Sequence, residues 1–152
     1  MRRTTVLVLT LVVIGGIVSV SVMRAVGADS SPASPASPAK ADTRLVVLWT
    51  SGDPEVAHKV CLMYTHAAAK NKWFTEVRLI VWGPSARLLA ADKDLQAKIK
   101  AMMADGIKIQ ACVVCADSYG VSDRLRDMGI EVKGMGQPLS DYVQGDWKVL
   151  TF

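Results

Sequence analysis

What most constrains this chain is a rhythm of five short apolar runs, separated by stretches with helical periodicity. The runs are RLVVLWT (44–50), EVRLIVW (76–82), IKIQACVV (107–114), IEVKGM (130–135) and WKVLTF (147–152). Each is short, rich in β-branched residues and flanked by turn formers, which is how a buried strand reads. Between them, PEVAHKVCLMYTHAAAKNK places Val56, Val60, Met63 and Ala67 at helical spacing. Asp53 or Ser51 is placed to cap that helix, and Pro54 suits its first turn. SARLLAAD, DLQAKIKAMMADG, ADSYGVSDRLRDMG and PLSDYVQG read as further helices, with Gly106 and Gly129 as stops. Strands alternating with helices predict an α/β fold of three layers, α/β/α, on a mainly parallel five-stranded sheet.

This pattern occupies residues 43–152. Ahead of it, Arg2 and Arg3 precede an apolar run from Val6 to Met23, and small residues follow at Val26-Gly27-Ala28. Residues 1–28 have the layout of a secretory signal, although the run also nears the ~20 residues that span a bilayer. As a signal or as an anchor through residues 4–26, the segment sends the domain across a membrane, to a periplasmic or other extracytoplasmic site. Residues 29–42 contain three SPA units and read as a semi-rigid tether without chemistry of its own. The domain itself holds 14 Lys plus Arg against 12 Asp plus Glu. So small and dispersed an excess gives no reason to expect nucleic acid as a partner.

In parallel α/β sheets, ligands sit at the carboxyl ends of the strands. Four loops qualify: TSGDP, WGPSA, CVVCAD and MGQP. None matches GxGxxG or a P-loop, so no nucleotide cofactor is implied. The third loop carries Cys112 and Cys115, one at a strand end and the other at a helix start. Backbone N–H groups and the helix dipole favour thiolate there, whereas the plainer alternative is a pair of small packed residues. A metal site needs three or four ligands; His58 and His66 stand eight residues apart on one helix, so no metal is expected. His58 follows the first loop closely enough to face the same cleft, and Cys61 reads as a packed residue. A thioredoxin-type motif would follow the first strand rather than the third. A reversible Cys112–Cys115 disulfide remains open.

RLVVLWTSGDPEVAH, ACVVCADSYGVSDRLRDMGIEV and MGQPLSDYVQGDWKVLTF together resemble the DsrE/DsrF-like family of small sulfur-relay proteins. The strand-end cysteine, Gly120 eight residues on and the GIEV strand start carry most of the likeness, closest to a C-x-x-C-A-D subgroup. The resemblance implies a flavodoxin-like layered fold, homo-oligomeric assembly and a persulfide carried on Cys112. It also implies a protein donor or acceptor of sulfur. Cys115 is then an additional thiol that would resolve a persulfide at Cys112 into a disulfide. The export segment sets this chain apart from the cytoplasmic relay members. The alternatives are a non-catalytic small-ligand-binding or oligomeric module, and a Cys112–Cys115 thiol–disulfide switch.

Overall fold

The computed structural model of the protein describes residues 42–152. The expected leader and all but the last residue of the expected linker lie outside these residues. Among the described residues no helix is long and apolar enough to cross a membrane.

The strands are β1 (Arg44–Trp49), β2 (Glu76–Val81), β3 (Lys108–Cys112), β4 (Glu131–Lys133) and β5 (Trp147–Thr151). All pair in parallel, in the order β4-β3-β2-β1-β5. The sheet thus grows in one direction from β1 to β4, then the chain returns to add β5 on the far side of β1. Right-handed crossovers translate that path into layers. The first three connections put their helices on one face. These are α1 (Pro54–Val56), a π-helical segment (Ala57–Cys61), α2 (Leu62–Lys70), α3 (Pro84–Ala91), α4 (Lys93–Ala104), α5 (Val113–Ser118) and α6 (Ser122–Asp127). The reversal after β4 sends α7 (Gly136–Gln144) to the other face, where it is the only helix among the described residues.

Two cores follow. On the crowded face Leu45, Val47, Trp49, Leu79 and Val81 pack against Leu62, Leu89, Leu95, Ile99 and Leu125. On the other, Val46, Ile80 and Cys112 lie under Met135 and Tyr142. Coverage on both faces is why the central strands read as unbroken apolar runs.

Local chemistry sets the ends. Asp53 Oδ1 accepts from the amides of Glu55 and Val56, and Pro54 fills the first helical position. Gly106 and Gly129 close α4 and α6 as expected. Each has positive φ, and paired amide bonds run back from it and the next residue, the Schellman arrangement.

Three sequence expectations change in detail. Gly120, at φ 66, closes α5 in the same way: its own amide reaches Asp117 O and that of Val121 reaches Ala116 O. The single helix expected over 116–129 is therefore two. The third strand ends at Cys112 rather than Val114, and Val114, 72% exposed, belongs to α5. Sheet pairing ends there, so the β-branched valines turn into the helix despite their strand propensity. Finally, the stripe Val56, Val60, Met63, Ala67 is not the buried face: Val60 is 42% and Met63 56% exposed, and Val56 and Ala67 are half-buried. Ala57, Cys61, Leu62, Thr65 and Ala68 face the sheet instead, and four of these five are small enough for a close approach.

Candidate functional site

The loop after β3 leads to α5 on the crowded face, and the loop after β4 leads to α7 on the other. Adjacent strands whose connections leave to opposite faces define a topological switch point, where parallel α/β sheets open a crevice. Cys112 ends β3 and stands at that point, paired in register with Lys133 of β4.

The two thiols differ in surroundings. Cys112 is the residue before the first turn of α5, its backbone still extended. Its side chain turns to the α7 face, 4% exposed among Val46, Ile80, Met135 and Tyr142. Cys115 lies in the first turn of α5 and is partly exposed. The two thiols are close neighbours at one apolar cluster and influence each other's ionisation, and the backbone amide of Gly83 acts on Cys115 from the loop after β2. Desolvation pushes the Cys115 thiol above its ordinary pKa, and the neighbouring Cys112 adds to that. The amides of Gly83 and of Cys115 itself pull the other way without overcoming it. The expectation that the helix start would favour thiolate is therefore outweighed at Cys115 by burial: α5 is only six residues long and Cys112 is in contact.

The sequence marks Gly83 only as half of the Gly83-Pro84 turn, with no role at the site. Its φ of 65 suits glycine, and it precedes Pro84 at the start of α3. The first loop meets the second: a Cβ on Gly52 would lie 3.0 Å from Pro84 Cβ. Ser85 Oγ adds a lock by donating to Trp49 O at 2.6 Å while accepting from Trp82 N at 3.0 Å. The backbone carrying Gly83 is therefore tied to the ends of both β1 and β2.

The other expected residues sit elsewhere. His58 does not join the thiols; its Nε2 meets Asp92 Oδ2 at 3.3 Å, between the first helical segment and α4. His66 meets Asp105 at the far end of α4, 2.5 Å away. These pairs fasten the α1–α2 stretch to α4. Amide donation from Leu95, then the His58 contact, holds Asp92 below the usual carboxylate range, and His66 does the same to Asp105. Cys61 is fully buried, and burial raises its pKa to about 12, so it is an inert core thiol. Among the described residues no group of three His, Cys, Asp or Glu side chains is placed to hold a metal ion. Cavities of about 440 and 380 Å³ are lined by residues such as Lys72, Glu76 and Asp105, and Met63 and Lys98, and neither touches the cysteines.

Fold and site together define a small parallel α/β protein that presents a contacting thiol pair at its topological switch point. The DsrE/DsrF-like family model matches residues 44–152, and the chain belongs to that family. A conserved protein of unknown function, BT1422 from Bacteroides thetaiotaomicron, is similar at 32% identity and TM-score 0.70, covering 74% of this chain and 97% of its own. The ychN protein from E. coli, at 19% identity and TM-score 0.56, covers 72% of this chain and 100% of its own, and shares the fold. No curated protein matches. Family membership suggests a role related to sulfur relay.

Proposed function

We propose that this chain handles sulfane sulfur at the Cys112–Cys115 pair, as a persulfide carrier or sulfur-transfer protein working outside the cytoplasm. The observation that carries this reading is the contact between the two thiols at the switch point of a DsrE/DsrF-like domain. A thiolate there attacks a sulfane sulfur donor and becomes a persulfide, which passes to a second thiol or is resolved. The extracytoplasmic setting rests on the leader sequence alone, as does a membrane tether through residues 4–26. Homo-oligomeric assembly and a protein donor or acceptor complete the proposal.

The test is to load the reduced full chain with excess glutathione persulfide, desalt it and measure its mass and remaining thiols. Gain of sulfur, or conversion of the pair to a disulfide with release of sulfide, supports the reading. Unchanged mass with all thiols still alkylatable refutes it. The thiol contact also favours a second reading, a thiol–disulfide switch that never binds sulfur. Disulfide formation by diamide, with no sulfur uptake from the persulfide, would select that alternative.

A further inference from the structure

We propose that Cys115, not Cys112, takes the sulfane sulfur, and that Cys112 then releases it as sulfide by closing a disulfide. This rests on the sulfur-handling reading above and assigns the order of its steps. Two observations carry it. Attack on a donor requires the sulfur to be reached in line, and Cys112, 4% exposed beneath Met135 and Tyr142, is closed to a donor while Cys115, at the edge of the same cluster, is partly exposed. A persulfide is also acidic and therefore anionic, and an anion needs donors. Both thiols border one apolar cluster, Cys112 inside it and Cys115 at its edge, where the Gly83 amide acts on Cys115.

In the first step Cys115 thiolate attacks the outer sulfur of R–S–SH. The donor S–S bond breaks, R–S⁻ leaves with the electron pair, and Cys115 becomes Cys–S–SH. In the second, Cys112 thiolate attacks the inner sulfur of Cys115. The new Sγ–S bond breaks, HS⁻ leaves, and the Cys112–Cys115 disulfide remains. Across both steps two protein thiols are oxidised and one sulfane sulfur is reduced to sulfide. An external dithiol restores the pair. The substrate class is a thiol persulfide, and the chain acts as its reductase rather than as a store. Cys112 needs no exposure for this, because its only target is the neighbouring sulfur.

The experiment treats reduced full chain, and its Cys112→Ser, Cys112→Ala and Cys115→Ser variants, with one equivalent of glutathione persulfide. Each is then alkylated, weighed intact and mapped by peptide mass. Wild type is expected to lose about 2 Da as a disulfide and to release one sulfide per chain. Both Cys112 variants are expected to gain about 32 Da on the Cys115 peptide, with sulfide release down at least tenfold. Cys115→Ser is expected to gain nothing. Sulfur found on Cys115→Ser, or equally on the Cys112→Ser and Cys115→Ser variants, overturns the order of steps but leaves sulfur handling intact. Wild type that neither gains sulfur nor releases sulfide overturns both. A measurement on the unmutated chain covers the case in which Cys112 variants misfold. Limited alkylation of the native protein must label Cys115 first and abolish sulfide release, and label on Cys112 first overturns the proposal.

Discussion

Tyr142→Phe tests how the second face is held together. The Tyr142 hydroxyl accepts from Arg78 Nη1 at 2.8 Å and donates to Gln110 Oε1 at 3.1 Å, linking α7 to the adjacent strands β2 and β3. Gln110 in turn donates to Glu131 at 2.6 Å, and Arg78 to Glu76 at 2.6 Å, so the hydroxyl joins two halves of one polar chain. Removing it deletes one hydrogen bond to a charged group, worth roughly 1.5–3 kcal/mol, and strands a buried amide oxygen at roughly 1–3 kcal/mol. Arg78 keeps Glu76 and part of its exposure to water, and the ring still packs against Trp147, 5.0 Å between centroids. The lower end therefore applies, about 2–3 kcal/mol. With a urea m-value of roughly 1–3 kcal/mol/M, the midpoint falls by about 0.7–3 M. Because α7 covers Cys112, loosening it by about 2 kcal/mol raises the open fraction up to about 30-fold, and alkylation of Cys112 accelerates accordingly. Peptide mapping reads Cys112 and Cys61 in the same sample, with Cys61 reporting only deeper unfolding. A stability loss under about 0.5 kcal/mol, or equal acceleration at Cys61, would refute the reasoning.

Other expectations follow from the same contacts. Gly120→Ala places a side chain at φ 66 where the α5 stop requires the left-handed region, and should cost about 1 kcal/mol in denaturant titration, with little change if the turn can reshape. Leu89→Ala, at a fully buried core position, should cost about 2–5 kcal/mol by the same measurement. Asp92 and Asp105 have depressed carboxyl pKa values in the folded chain, so the unfolded chain binds more protons in acid. Their contribution is present above the ordinary carboxylate range and is lost as pH falls below about 4. Asp92→Asn with Asp105→Asn should flatten the acid limb of the stability–pH curve, and an unchanged limb would show that these two carboxylates, with their amide and histidine partners, contribute nothing to it. Cys61→Ala should leave sulfur uptake intact, since that thiol is sealed in the core.

Element order and most element ends are local matters, and the sequence alone determines them. Caps such as Asp53 and stops such as Gly106 and Gly129 act through bonds a few residues long, so they are readable in one dimension. The parallel α/β architecture follows from the alternation of elements. So does the location of the two cysteines at a strand's carboxyl end, and the motifs carried the family resemblance. Three things awaited the tertiary structure. The first helix is apolar on more than one side, so periodicity located the helix but not the face that packs; the sheet selected the small residues and left Val60 and Met63 outside. The limit of β3 depends on where its neighbours stop pairing, which overrode the strand preference of Val113 and Val114. The difference between the thiols comes from the reversal after β4, a long-range choice that drops α7 over Cys112 and leaves Cys115 beside Gly83. Spacing put two thiols near one strand end and left their relation open; packing between distant segments decided which one water reaches.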